Sequence, residues 1–238
     1  MTEPSYLPPP TPKKSSRKTL TIALAIVVVV VAAFLGAYLL TRSGGNNPTP
    51  GIESVTILSK TAFTSEAGYY TIVGEVKDNL GTNVENVKIV ATFYDSSNTV
   101  IETSYAYTEI DILKPGQKSP FELSSYPAFL SPASYKLSVE YDLTQDQPFQ
   151  GLMILNQTAS ISNGYHITVG EVKNNGTSKS TDVMIVGTYY NSAGTVIGTS
   201  WMYTELNEIN AGGTSPFELC SCPLKINPAT YELQIQGQ

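Results

Sequence analysis

Beyond Arg42 this chain of 238 residues contains no arginine, and its whole length holds one histidine, one tryptophan and two cysteines. Each scarcity excludes something. Phosphate backbones are bound by clustered Lys and Arg. The region past Arg42 instead has about twice as many acids as lysines, so nucleic acid is not an expected partner. Two cysteines cannot build the disulfide framework of a small secreted scaffold. Charged residues are only 14% of the chain, while tyrosine (15) is twice as frequent as phenylalanine (7), a composition of strands and turns rather than of a helical enzyme.

What is there is written twice. Gly68-Tyr69-Tyr70-Thr71-Ile72-Val73-Gly74-Glu75-Val76 returns as Gly164-Tyr165-His166-Ile167-Thr168-Val169-Gly170-Glu171-Val172, an offset of 164 − 68 = 96 residues. The register persists to Ser119-Pro120-Phe121-Glu122-Leu123 against Ser215-Pro216-Phe217-Glu218-Leu219 (215 − 119 = 96). Two copies of one module are therefore the unit of interpretation. Features common to both are conditions of the fold, and a special activity belongs to what one copy has alone.

One long apolar run precedes the copies. Thr19 to Leu40 carries no charge, and about 22 helical residues span roughly 33 Å, enough for a bilayer core. Lys13, Lys14, Arg17 and Lys18 flank one end and Arg42 alone the other, which places the N-terminus in the cytoplasm and the rest outside. The run continues past the small residues Ala33 to Ala37, favouring an uncleaved anchor over a removed signal peptide. The expected layout is a basic, proline-rich cytoplasmic tail over 1–18, a transmembrane helix over 19–41 with 19–40 in contact with lipid, and a linker over 42–51. Domain 1 follows over 52–142, then a joint over 143–150 and domain 2 over 151–238.

Each copy offers strand-like runs separated by turn signals at the spacing of a sandwich. In copy one they are about Val55 to Ala62, Tyr69 to Lys77, Val87 to Tyr94, Val100 to Tyr107, Ser119 to Leu123 and Tyr135 to Tyr141. Val87, Ile89, Ala91 and Phe93 share a face, matched by Val183, Ile185, Gly187 and Tyr189. The expected fold is all-β, two tandem immunoglobulin-like antiparallel β-sandwiches after one transmembrane helix.

Gly74-Glu75-Val76, Ala91-Thr92-Phe93-Tyr94-Asp95, Thr99-Val100-Ile101, Pro115-Gly116 and Phe121-Glu122-Leu123, with their copy-two counterparts, resemble FxLYD-type domains of prokaryotic envelope proteins. Ala91 and Gly187 stand where that family has Phe, Asn191 replaces the Asp, and Ala211-Gly212 replaces Pro-Gly. The resemblance implies an Ig-like, membrane-anchored extracytoplasmic module and brings no catalytic residues with it.

Candidate chemistry is sparse. His166 is unduplicated, its counterpart being Tyr70, and a lone strand histidine is not a catalytic base without an orienting partner and a nucleophile. Glu75, Glu109 and Glu122 recur as Glu171, Glu205 and Glu218; paired carboxylates could serve glycoside hydrolysis, but their repetition points to structural roles. Cys220-Ser221-Cys222 has no counterpart in copy one. Residues i and i+2 of a straight strand lie about 6.5–7 Å apart, at the limit of a disulfide, so Cys220 and Cys222 read as a local bridge, as intermolecular or free thiols, or as a soft-metal pair. Asn156-Gln157-Thr158 and Asn175-Gly176-Thr177 are sequons, making Asn156 and Asn175 glycosylation candidates. Tyr105, Tyr107, Trp201 and Tyr203 fit the sandwich core, the face between domains, or a contact surface for protein or carbohydrate.

The reading is a single-pass cell-membrane protein without enzymatic activity, cofactor or metal. It would display its domains extracellularly for binding, adhesion or envelope structure, with a surface protein or glycan as partner and self-association open. The alternatives are a surface-filament subunit assembled by strand complementation, and a thiol- or metal-handling protein working through Cys220 and Cys222.

Overall fold

The computed structural model describes residues 54–126 and 131–238. The expected tail, transmembrane helix and linker lie outside them, and no described helix is long and apolar enough to cross a membrane. The strands are β1 (Val55–Thr64), β2 (Tyr70–Asp78), β3 (Val84–Tyr94), β4 (Val100–Tyr107), β5 (Ile112–Leu113), β6 (Lys118–Ser124), β7 (Ser134–Leu143), β8 (Leu152–Ser162), β9 (Tyr165–Asn174), β10 (Ser180–Thr181), β11 (Met184–Tyr190), β12 (Val196–Tyr203), β13 (Glu208–Ile209), β14 (Thr214–Cys220) and β15 (Thr230–Gln236). All pairing is antiparallel. The described chain is all-β.

Copy one forms the sheet β1-β2-β6 and the sheet β4-β3-β7, to which β5 adds. Copy two repeats them as β8-β9-β14 and β12-β11-β15, with a small β10-β13 ribbon. Inward residues alternate along each strand. Ile72, Val76, Ile89, Ala91, Phe93 and Phe121 fill the space between the copy-one sheets, and Val172, Ile185, Phe217 and Leu219 that between the copy-two sheets.

The repeated motifs meet across the sheet. Gly74 pairs with Phe121 and Gly170 with Phe217. A Cβ built on Gly74 would lie 2.5 Å from the Phe121 ring and 2.7 Å from the Ser59 carbonyl, and Gly170 is equally crowded by Phe217 and the Asn156 carbonyl. Gly-Glu-Val and Pro-Phe-Glu-Leu are thus two halves of one packing unit. Pro120 and Pro216 are tolerated because β6 and β14 are edge strands.

Departures from the motif keep its physics. Asp95 Oδ1 accepts the amides of Ser97 and Thr99, and Asn191 Oδ1 accepts those of Ala193 and Thr195, so the Asp-to-Asn change leaves the turn intact. Gly116 and Gly212 both have positive φ and donate to the carbonyls of Asp78 and Asn174. The turn therefore depends on the glycine and not on the preceding proline.

The central constraint is that β2 and β11 are buried on both faces. Thr71, Val73 and Glu75 point away from the copy-one core and are nonetheless sealed, as are Met184, Val186 and Thr188 on the opposite face of β11. Met184 and Val186 join the copy-one apolar cluster. The outer face of β1-β2-β6 therefore packs on β12-β11-β15, and the described residues fall in one compact unit. Thr61 Oγ1 donates to the Val196 carbonyl at 2.6 Å and Ser59 Oγ accepts the Val196 amide at 3.2 Å.

Gly74→Ala and Gly170→Ala are each expected to destabilise by about 1–3 kcal/mol, read as a lowered denaturant midpoint. An unchanged midpoint would remove the glycine–phenylalanine account. Asp78 and Asn174 occupy equivalent, fully buried positions. Asn174 Nδ2 donates to the Ser178 and Ile209 carbonyls, whereas Asp78 Oδ2 has no protein partner among the described residues. Burial raises the Asp78 carboxyl above its ordinary value, opposed by the Leu80 amide. Stability from this group is present in acid and lost as pH rises through its raised value. Asp78→Asn should therefore stabilise by about 1 kcal/mol near neutrality and by less in acid, in paired thermal melts.

Candidate functional site

The junction of the two copies holds an ionic cluster built on the buried Glu75 and, beside it, an open cleft. Glu75 projects from β2 toward copy two and is 3% exposed. Its Oε1 accepts the Tyr190 hydroxyl at 2.5 Å, and its Oε2 lies 3.3 Å from Lys118 Nζ. Lys118 also reaches Glu232 at 3.5 Å and stands over the Tyr190 ring at 5.6 Å. Burial would lower the Lys118 ammonium, but Glu75 and Glu232 outweigh it and hold it raised. Burial, then the bond to Glu75, pushes the Tyr190 hydroxyl up, so it remains a donor. This cluster joins surfaces; its members are occupied with one another.

The cleft encloses about 860 Å³. Copy one contributes Tyr107, Glu109 and Asp111, the joint contributes Asp146 and Phe149, and copy two contributes Trp201 and Tyr203. Among the described residues no lysine or arginine lines it. Gln236 of β15 fixes the loop after β4, donating to the Glu109 carbonyl and accepting the Asp111 amide, both at 2.9 Å. Asn83 Nδ2 donates to the Asp146 carbonyl at 2.8 Å and ties down the joint. Trp201 and Tyr203 pack edge to face with centroids 5.9 Å apart and are about half exposed, 48% and 50%. Their apolar rings are open to a ligand.

Glu109 is the unusual acid of this site. Burial, reinforced by the charges of Glu122 and Asp111, raises it to about 7, so near neutrality it exists both as acceptor and as donor. Burial raises Asp111 in the same direction. The copy-two counterpart Glu205 is exposed, because nothing covers copy two as copy two covers copy one. Sequence repetition hid this asymmetry.

His166 is 5% exposed and packs against Tyr189 and Tyr231, with centroids 5.1 and 4.7 Å away. Tyr70 makes the same aromatic cluster with Phe93 and Tyr135. Burial lowers the His166 pKa, favouring the neutral ring. Cys220 and Cys222 form a disulfide with Cα atoms 5.1 Å apart. The chain leaves β14 at Cys220 and turns, Leu224 N donating to the Ser221 carbonyl, which brings the pair closer than a straight strand would. Asn156 is exposed on β8 opposite Glu171, and Asn175 is exposed after β9. Tyr105 and Tyr107 are exposed on the outer face of β4, 61% and 53%. Sequence reasoning missed the ionic cluster. The signal available was Lys118, an unrepeated cation replaced by Thr214 opposite a repeated acid.

No known family profile matches the chain, and no curated protein matches it. Among solved structures it is similar to a transglutaminase from red sea bream, at 8% identity with a TM-score of 0.25, over 82% of this chain and 30% of that one. The chain thus spans under a third of that enzyme's length, and a likeness this distant carries no argument about activity.

Since the Glu109 carboxyl is raised to about 7, its stability contribution is complete below the ordinary carboxylate range and is lost as pH rises through about 7. Glu109→Gln is expected to flatten the stability profile between acid and mildly alkaline pH, measured by melts across that range. A slope identical to that of the parent chain would refute the assignment.

Proposed function

We propose that this protein is a single-pass, membrane-tethered extracytoplasmic module of two tandem immunoglobulin-like β-sandwiches, acting without catalysis in binding, adhesion or cell-envelope structure. The observation that carries the proposal is the cleft between the copies, which Tyr107, Trp201 and Tyr203 line together with the acids Glu109, Asp111 and Asp146. Aromatic rings stack on apolar sugar faces, and carboxylates and a protonated Glu109 accept and donate hydrogen bonds to hydroxyls. A glycan is accordingly the ligand class this cleft suits best.

Several candidate catalytic groups, though not the cleft acid Glu109, have other employment, which supports the non-enzymatic reading. Glu75 serves the junction, His166 an aromatic core, and the cysteines a disulfide. The anchoring proposal rests on the apolar run at 19–40 and its flanking charges. The FxLYD-type resemblance is proposed on the motif residues alone. Against strand complementation, β1, β8 and β15 are each paired within their own chain, so no described strand awaits a donor site.

Trp201 is the sole tryptophan, so emission from the intact protein reports directly on the cleft. Titration with cell-surface polysaccharide is expected to shift or quench that emission. Trp201→Tyr and Tyr203→Ala should weaken binding about thirtyfold, as for an interface hot spot, with binding to the tryptophan-free variant followed by calorimetry. Polysaccharide binding that both substitutions leave unaltered would move the site elsewhere, and none at all would remove the glycan reading.

A further inference from the structure

The contact between copies uses one face of each and leaves the matching faces free. Copy one contributes the outer face of β1-β2-β6, whose counterpart in copy two is the outer face of β8-β9-β14. Copy two contributes the face of β12-β11-β15, whose counterpart in copy one is the outer face of β4-β3-β7. Residues sealed on the used faces recur in the open on the free ones. Val73 is 0% exposed and its counterpart Val169 45%; Val196 is 0% exposed and its counterpart Val100 53%. Thr61, which bonds the Val196 carbonyl, recurs as Thr158 on β8.

Common descent of the copies would by itself preserve some of these residues, but the charges follow a more particular pattern. In the existing contact Lys118 stands over Tyr190 and neutralises Glu75, with Glu232 beside them. On the free faces the acid and the tyrosine persist as Glu171 and Tyr94, while Thr214 takes the place of Lys118. Lys136 takes the place of Glu232 (232 − 136 = 96), and its Nζ lies 5.5 Å over the Tyr94 ring. That matches the 5.6 Å from Lys118 to the Tyr190 ring. The cation has crossed from one side of the interface to the other: one free face carries Glu171 with Lys173 and Glu218, and the other carries the Tyr94–Lys136 pair with the Lys88–Glu140 ion pair beside it.

We propose that the chain self-associates head to tail, the β8-β9-β14 face of one molecule docking on the β4-β3-β7 face of a second copy by the relation that joins the two copies within the chain. Glu171 of one chain then meets Tyr94 and Lys136 of the next, and Val169 and Val100 leave water together. The two faces differ, so the contact is heterologous; each added chain presents a new free face and the assembly grows beyond a dimer. Every strand stays in its own sheet. Tyr107 at the end of β4 belongs to both this docking face and the cleft, and the association is followed with no glycan present.

Sedimentation velocity of the full chain in detergent, followed against concentration, tests this. The parent chain is expected to form species larger than dimers. Lys136→Glu and Glu171→Lys should each weaken association about tenfold, and the chain carrying both should regain it. Val169→Arg should abolish assembly. Unchanged thermal midpoints would show that these surface variants remain folded. A chain monomeric at every concentration overturns the proposal, as does growth that stops at a dimer or charge variants that associate like the parent. A glycan on Asn156, which sits opposite Glu171 on the docking face, overturns it equally.

Discussion

The carboxylate of Glu75 is withdrawn from water at the junction of the two copies, and much of the architecture around it follows from keeping it satisfied. A buried charge left without partners is strongly destabilising, so Tyr190 must come from copy two and Lys118 from the neighbouring strand. That requirement fixes how β11 lies against β2. It gives the contact between copies a direction and a register that apolar packing by Val73 and Val186 would leave loose.

From that contact the functional geography unfolds. Pressing β12-β11-β15 onto β1-β2-β6 brings the loop after β4 toward β15, where Gln236 holds it. The cleft opens at that edge. Glu109 is raised by burial, with Glu122 and Asp111 of its own copy adding their charges, while Glu205 is exposed. One duplicated residue acquires two environments because only one copy is covered.

Strand positions are legible in the order of residues, because alternation along a half-buried strand is a local property. The face carrying Val87, Ile89, Ala91 and Phe93 is buried, and the runs expected in copy one fall on β1, β2, β3, β4, β6 and β7. The Asn163-Gly164 turn joining β8 to β9, both residues at positive φ, is equally readable as a hairpin signal. Double-sided burial is not. Thr71, Val73 and Glu75 point away from the core of their own copy, and only a second sheet from elsewhere in the chain makes them interior.

The sequence by itself determined the duplication and the all-β character, since these depend on neighbours along the chain, whereas the pairing of Gly74 with Phe121 and of Gly170 with Phe217 came from strand register in the structure. Tertiary structure alone decided which copy of each repeated residue would be covered. Burial, partner and proton affinity depend on what packs against a side chain, and that is a property of three dimensions. Glu75 and Glu171 share a motif and differ in fate for that reason.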